Sequence, residues 1–192
     1  APLEPKGGLV ALFGSLAPGG AILKRSAADP ALLEKEGRAV VFTSLEDLSA
    51  RIDDPDLDVT ADDILVLQNA GPRSPSGMPE AGYLPIPKKL SSKGVKDMVR
   101  ISDARMSGTA FGTIVLHVTP EAAIGGPLAL VRNGDRIALS VTNKKLDLLV
   151  DEEELNRRRA ELVTTERDPN NLRGYDRLYA EQVLQADQGC DF

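Results

Sequence analysis

The sequence predicts a mixed α+β domain built on a β-barrel-like sheet that is flanked by helices. Short apolar runs bounded by glycine or turn residues recur along the chain, and such runs are typical of buried strands. Turn signals at Asn133-Gly134 and Asn143-Lys144 follow the later runs and favour hairpins. A β-sandwich fits the same pattern, whereas a parallel doubly wound sheet fits it less well. The predicted strands cover residues 9–13, 21–23, 39–42, 64–67, 114–117, 128–131, 137–141 and 146–150.

Capping residues predict where the helices begin. Asp29 before a proline predicts a helix over residues 30–36 that ends at Gly37, because Asp caps helices well and proline fits the first helical position. Acids early and arginines late in residues 151–162 suit the dipole of a helix. The other predicted helical segments are residues 45–52 with Ser44 as cap, 120–123 with Thr119 as cap, and 175–186.

The composition is that of an ordinary globular domain. The chain has 192 residues, of which 42% are hydrophobic and 27% charged, so it can bury a core. Its net charge of −6 argues against a nucleic-acid interface, which needs clustered Lys and Arg. No apolar stretch approaches the ~20 residues that span a bilayer. The single cysteine, Cys190, excludes an internal disulfide and a multi-cysteine metal site within this chain. We therefore expect a cytoplasmic domain that contacts neither nucleic acid nor membrane.

The first residues indicate that the chain is part of a longer polypeptide. It begins with Ala1 in a Pro-rich phrase rather than with Met, which is typical of an internal cut or of a processed or engineered end. Residues 1–165 are expected to form the domain proper, and residues 166–192 a C-terminal helix and tail that belong to it.

Residues 101–112 are the strongest candidate for a functional loop. Their small side chains and glycines let the backbone approach a ligand closely. Asp103 and Arg105 could form a pair, or Arg105 could hold a carboxylate by a two-point contact, and Ser107 and Thr109 offer hydroxyl groups. Serine is a weak base, and no His or Lys stands nearby in sequence, so activation has to come from elsewhere, for example from a metal or a cluster. The alternative interpretation is a tight turn with a capping serine.

Four more side chains could carry chemistry, each with a simpler interpretation beside it. Glu80 lies in the Gly- and Pro-rich segment 69–87, where a carboxylate is either solvated or acts as a metal ligand or base. His117, the single histidine, fits a satisfied, half-buried side chain better than a catalytic one. Lys24 could reach an anionic substrate but better fits a surface position. Cys190 fits a mobile tail.

Five phrases of the sequence are weak signals alone but specific together. They are residues 14–20 (GSLAPGG), 69–72 (NAGP), 77–80 (GMPE), 102–109 (SDARMSGT) and 117–122 (HVTPEA). In this order and spacing they resemble the dihydroxy-acid dehydratase and 6-phosphogluconate dehydratase family, over residues 6 to at least 162. The resemblance implies a β-barrel-like swivelling β/β/α domain at the C-terminus of the polypeptide, and a homo-oligomeric assembly.

The resemblance also implies an activity. Members of the family eliminate water from a 2,3-dihydroxy acid, and the resulting enol becomes a 2-keto-3-deoxy acid. They use an iron–sulfur cluster as Lewis acid and a magnesium ion at the carboxylate end, both held mainly by a larger N-terminal domain. By position, Ser107 would be the base that takes the C2 proton, and a nearby metal and cluster would lower its pKa. Glu80 would be the one magnesium ligand of this domain, and Thr109 and Arg105 would contact substrate.

Segment 102–109 departs from the phrase TDGRFSGG that is typical of the branched-chain biosynthetic enzymes. Four positions differ, and this variant, together with the tail 184–192, resembles the sugar-acid branch, which dehydrates aldonates. The exact acid stays open between arabinonate, xylonate, gluconate and others. The alternatives are a branched-chain dihydroxy-acid dehydratase, an aconitase-like isomerase subunit, and a non-catalytic domain that binds a small molecule or a partner. The isolated chain is expected to fold but not to turn over substrate.

Overall fold

A computed structural model describes residues 6–79, 84–107 and 111–192. In these ranges eight strands form one sheet in the spatial order β1-β2-β6-β5-β4-β3-β7-β8. The strands are β1 (Leu9–Leu12), β2 (Gly20–Lys24), β3 (Glu34–Phe42), β4 (Ile64–Leu67), β5 (Arg100–Ser102), β6 (Ile114–Thr119), β7 (Arg136–Ser140) and β8 (Lys145–Leu148). The α-helices are α1 (Leu45–Arg51), α2 (Lys88–Ser91), α3 (Glu152–Glu161) and α4 (Gly174–Gln182).

The sheet is parallel in its middle and antiparallel at both sides. β3 pairs with β4, β4 with β5 and β5 with β6 in parallel, and the flanking pairs are antiparallel. Parallel strands are covered on both faces and read as continuous apolar runs, and β4 is accordingly buried at all its positions. Val66 packs in one core cluster, whereas Leu65 and Leu67 pack in the other, as the two-residue period of a strand requires.

The first and last strands meet, so the sheet is nearly closed into a barrel. The Phe13 N–H donates to the Lys144 carbonyl at 2.9 Å, and the Leu146 N–H donates to the Phe13 carbonyl at 3.0 Å. One apolar cluster draws on all eight strands, and a second joins the middle strands to α1 and α2. The predicted mixed fold with a barrel-like sheet and flanking helices is confirmed, whereas its description as a swivelling domain stays a prediction.

The predicted cap of α1 forms, and the helix predicted over residues 151–162 is capped by its first acid. The Ser44 Oγ accepts the Asp47 N–H at 3.1 Å at the start of α1, and the Asp151 carboxylate accepts the Glu154 N–H at 2.8 Å at the start of α3. The C-terminal helix is shorter than predicted, because α4 ends at Gln182. None of the helices in the described part of the chain combines the length and apolar character needed to cross a membrane.

The helix predicted over residues 30–36 is wrong. Asp29 does cap a helical turn, but that 3₁₀ turn covers only Pro30–Leu32, and β3 begins at Glu34. The first half of β3 pairs with β7, and these long-range bonds override the local helix signal. Gly37, predicted to end a helix, lies inside β3, where the absence of a side chain is required because a Cβ would lie 2.7 Å from the Asp62 carbonyl oxygen.

The strand predicted over residues 128–131 and the Thr119 cap are also wrong. Residues Pro127–Leu130 form a 3₁₀ helix with proline at its start, and both leucines still point into the core. The Gln68 amide donates to the carbonyls of Leu128 and Val131, so these groups need no strand partner. The Thr119 hydroxyl donates to the Gly20 carbonyl instead of capping the turn Ala122–Ile124.

Candidate functional site

The loops after β4, β5 and β6 leave the sheet at one edge, because these three strands are parallel. Sites in such sheets lie beyond the carboxyl ends of the strands. The loop after β5, residues 103–107, is the serine loop. Asp103 and Ala104 are buried, Arg105 is exposed and Ser107 is half-buried. The chain therefore passes from the core to the surface within five residues, and Ser107 lies at the surface beyond the carboxyl end of β5.

The buried carboxylate of Asp103 ties the three loops together. It accepts the Ala70 N–H at 2.9 Å, from the loop after β4, and the Ala122 N–H at 2.8 Å, from the loop after β6. Burial raises the pKa of Asp103 to about 6, and the hydrogen bonds from the backbone amides partly oppose this rise. Asp103 thus fixes the base of the serine loop rather than reaching a ligand.

A second buried acid, Glu121, joins the same loops to the C-terminal tail. Its carboxylate accepts the Arg73 N–H and the Gln185 side-chain amide, both at 2.8 Å, and its own N–H donates to the Gln185 Oε1 at 3.0 Å. Burial raises the pKa of Glu121 to about 7, and the negative charge of Asp103 adds to this rise. Gly71 is required beside it, since a Cβ there would lie 2.7 Å from the Glu121 Cβ.

A pocket of about 540 Å³ opens beside the end of the serine loop. Ser107 lines it together with Lys24 of β2 and His117 of β6, although neither residue is near Ser107 in sequence. An apolar wall with a few polar groups is the usual character of a small-molecule site. The remaining lining residues are Gly8, Leu9, Ile22, Ser26 and Met106.

His117 bonds to the serine loop through its backbone and through its ring. Its N–H donates to the Ala104 carbonyl at 2.9 Å, and its Nε2 accepts the Met106 N–H at 3.0 Å. Burial lowers the pKa of His117, and the positive charge of Arg105 lowers it further. The prediction of a satisfied, half-buried histidine is confirmed, and the ring is part of the pocket wall.

The C-terminal tail folds back onto the segment that leads to Glu80. The Cys190 Sγ lies 3.4 Å from the Met78 Sδ, and Cys190 is half-buried rather than in open solvent. The Met78 N–H donates to the Gly71 carbonyl at 2.9 Å, which ties this segment to the loop after β4. Glu80 and Thr109, two of the predicted site residues, lie outside the described residues.

The phrases of the sequence that meet at this edge are those of one known family. The pattern for the C-terminal part of the dihydroxy-acid and 6-phosphogluconate dehydratases matches residues 1–190. The chain belongs to this family.

Relatives within this dehydratase family match over nearly the whole chain. A protein of Rhizobium meliloti (strain 1021) named as a dehydratase is 58% identical over 190 residues, which cover 99% of this chain and 33% of that protein. The L-arabonate dehydratase of Azospirillum brasilense is 54% identical, covering 99% and 33%. The 6-deoxy-6-sulfo-D-gluconate dehydratase of Pseudomonas putida is 53% identical, covering 99% and 32%.

Members of the dehydratase family named for dihydroxy acids are more distant. The dihydroxy-acid dehydratase of Methanoregula boonei is 42% identical over 190 residues, which cover 99% of this chain and 33% of that protein. The chain therefore spans about a third of the length of the curated relatives it matches.

The described residues of this dehydratase domain do not form a metal site. No three His, Cys, Asp or Glu side chains within them lie close enough together to hold an ion. Iron–sulfur clusters are held by several cysteine thiolates, and Cys190 is the one cysteine in the sequence. The residues of this chain thus do not fit an iron–sulfur cluster by themselves.

Sequence reasoning missed Glu121 and considered Asp103 only as a partner for Arg105, although both acids are buried and tie the loops of this edge together. Both lie inside the phrases that the dehydratase family shares, Asp103 in residues 102–109 and Glu121 in residues 117–122. The signal available in the sequence was that each acid stands next to apolar residues. The groups that donate to these acids are amides on other segments of the chain, and no sequence pattern shows those contacts.

Proposed function

We propose that this chain is the C-terminal part of a hydro-lyase that dehydrates a sugar acid to a 2-keto-3-deoxy acid. The observation that carries the proposal is the position of Ser107 on the wall of a pocket that Lys24 also lines. The identities support this substrate class, since relatives named for sugar acids are 53% and 54% identical, against 42% for the dihydroxy-acid dehydratase of Methanoregula boonei.

In this proposal Ser107, as an alkoxide, removes the C2 proton of the acid. The electron pair of the C2–H bond forms the C2–C3 double bond as the C3–O bond breaks. The departing hydroxide leaves as water after taking up a proton, which the proton collected by Ser107 balances so that the alkoxide is restored, and the enol tautomerises to the keto acid. A serine hydroxyl needs help to lose its own proton. Lys24 lines the same pocket, and a positive charge there favours the alkoxide and attracts the carboxylate of the substrate.

The other expected site residues take supporting roles. Arg105 is exposed at the rim next to Ser107, where a guanidinium can hold a carboxylate by two hydrogen bonds. Thr109, two residues beyond the base, is proposed to orient a substrate hydroxyl, and Glu80 to ligate magnesium. An iron–sulfur cluster, when bound, would supply a Lewis acid for the departing hydroxyl.

The proposed site is completed by the remainder of a longer polypeptide. The relatives extend over about three times the length matched here, and we assign the cluster ligands and most magnesium ligands to an N-terminal domain within that remainder. The tail 166–192 is proposed to belong to the present domain, because Gln185 bonds to Glu121. The complete protein is expected to assemble as a homo-oligomer, and the isolated chain to be inactive.

The test uses the full-length protein with cluster and magnesium loaded under anaerobic conditions. Aldonates and branched-chain dihydroxy acids are offered in parallel, and 2-keto acid formation is measured. We expect turnover of an aldonate, and a fall in kcat of about 10²–10⁴-fold in Ser107→Ala, the usual contribution of a positioned base. Ser26→Ala, which removes another hydroxyl from the same pocket, is the matched control and should lose only a few-fold.

Three results would count against the proposal. Preference for a branched-chain dihydroxy acid would assign the protein to the other branch of the family. Full activity of Ser107→Ala would leave a dehydratase whose base is another residue, and no turnover of any acid by the wild type would leave a non-catalytic binding domain.

A further inference from the structure

His117 sits at an irregular point of the sheet. Between Gly20 and Ile22 of β2, the paired residues of β6 step from Thr119 to Leu116, so β6 carries one extra residue. Such a bulge re-aims a side chain, and bulges are common beside active sites. The backbone of His117 has a φ of 57°, a left-handed conformation that residues other than glycine rarely adopt. The strand therefore departs from regular geometry at the residue that faces the serine loop.

The two bonds of His117 hold the residues that precede Ser107. The first bond, from its N–H to the Ala104 carbonyl, anchors the buried start of the loop. The second, from the Met106 N–H to the ring Nε2 at 3.0 Å, holds the amide directly before Ser107. A backbone N–H can only donate, so Nε2 must carry no proton, and the ring is then neutral with its proton on Nδ1.

The surroundings of the ring favour this neutral form. Among the described residues, Arg105 of the serine loop is the charged group that acts on the ring, and Lys24 of β2, another cation, lines the same pocket. Ser107 and Ser26, the other polar side chains of the pocket, are uncharged hydroxyls. Asp103, the acid of the same loop, is turned to the amides of Ala70 and Ala122.

We propose that His117 is a positioning residue, whose neutral ring holds the Met106 amide and thereby sets Ser107 at the pocket wall. Protonation of Nε2 removes the acceptor, repels the Met106 N–H and frees the end of the serine loop. The inference rests on the proposed function, since it concerns the placement of the proposed base. The inference adds His117 to that function as a residue that acts through the serine loop on Ser107 and does not itself touch the reacting atoms.

The test compares His117→Gln with His117→Met in the full-length, cofactor-loaded protein. Both side chains have the same length and meet the same left-handed backbone, but only the Gln side chain has an oxygen that can accept the Met106 N–H near the position of Nε2. We expect His117→Met to lose kcat by about 10- to 100-fold relative to His117→Gln, because a half-buried amide loses its acceptor. KM should differ little between the two, since the exchange of Gln for Met changes the hold on the serine loop and leaves a side chain of the same length in the pocket wall.

The pH profile gives a second readout. In the wild type, kcat should fall on the acid side as His117 is protonated, and this limb should be absent from His117→Gln, which cannot titrate. An acid limb that is the same in both would overturn the role of ring protonation, and equal kcat in the Gln and Met variants would overturn the positioning role.

Amide hydrogen exchange of the full-length protein separates this inference from the proposed chemistry. The peptide covering the serine loop should exchange faster in His117→Met than in His117→Gln, while a peptide from β4 exchanges equally in both. Faster exchange together with a fully active Ser107→Ala would keep the positioning of the loop and refute Ser107 as the base. Equal exchange of the serine loop in both variants would refute the positioning even if Ser107→Ala is inactive.

Discussion

Asp103 and Glu121 lie in the core below the serine loop, whereas Glu154 lies on the surface of α3 among arginines. The two buried acids accept hydrogen bonds mainly from backbone amides on neighbouring loops. Their pKa values rise, to about 6 for Asp103 and about 7 for Glu121, because burial disfavours the charged form. Hydrogen bonds from Arg157 and Arg158 instead lower the pKa of Glu154 to about 2.

These opposite shifts make the two regions respond to pH in opposite ways. Between about pH 4 and pH 7 the native state binds more protons at Asp103 and Glu121 than the unfolded chain does, so their contribution to the free energy of unfolding falls as the pH rises. The contribution of Glu154 is present above about pH 4.5 and is lost as the pH falls toward 2. Asp103 and Glu121 hold the loops in place but lower the free energy of unfolding at neutral pH, whereas Glu154 does not lower it.

The largest effect on stability is expected from Asp103→Ala. This change leaves the amides of Ala70 and Ala122 buried without an acceptor, and each such amide costs about 1–3 kcal/mol. Release of the buried charge offsets part of the loss, so urea unfolding at pH 7 should show a decrease of about 2–4 kcal/mol. Asp103→Asn keeps one acceptor and should lose less. An Ala variant within about 0.5 kcal/mol of the wild type would show that Asp103 does not tie the loops together.

A smaller effect, visible mainly in its pH dependence, is expected from Glu121→Gln. The uncharged side chain cannot titrate, so the fall in unfolding free energy between pH 5 and pH 8 should shrink by about 2 kcal/mol relative to the wild type. Asp103 should still produce the remaining fall. Parallel stability curves of variant and wild type across this range would contradict the assignment of the titration to Glu121.

The smallest effect is expected from Glu154→Gln. This side chain pairs with Arg157 and Arg158 at the surface, where ion pairs contribute little and are screened by salt. The thermal midpoint at pH 7 should fall slightly in low salt, and the difference should vanish in high salt. Glu153→Gln makes the same change of charge one residue earlier and serves as the control. A large fall in the thermal midpoint that does not depend on salt would show that the Glu154 ion pairs behave like buried rather than surface interactions.

The sequence predicted the fold correctly where the structure of a segment depends on its own residues. The strand at residues 64–67 and the Ser44 cap follow from an apolar run and from a hydroxyl before a helix, and both are confirmed. The errors at residues 30–36 and 128–131 occur where distant residues overrule the local signal. Residues 34–36 form a strand because they pair with β7. Residues 127–130 stay helical because the Gln68 side chain donates to the carbonyls of Leu128 and Val131.

The candidate site divides in the same way. The glycines and hydroxyls around Ser107 are local, and together with the other four phrases they indicated the family that the match over residues 1–190 shows. His117 and Lys24 could not be assigned to Ser107 from the sequence, because their proximity depends on β6 lying between β2 and β5.

The sequence by itself therefore determined the family, the mixed class of the fold, the cap of α1 and the position of α3, since each depends on residues adjacent along the chain. Only the tertiary structure decided which groups meet at the carboxyl ends of β4, β5 and β6. There Asp103 accepts its two amide hydrogen bonds, and the Met106 N–H donates to the ring of His117, eleven residues further along the chain. The parallel pairing of these strands brings their loops to one edge, and that pairing is a property of the whole sheet.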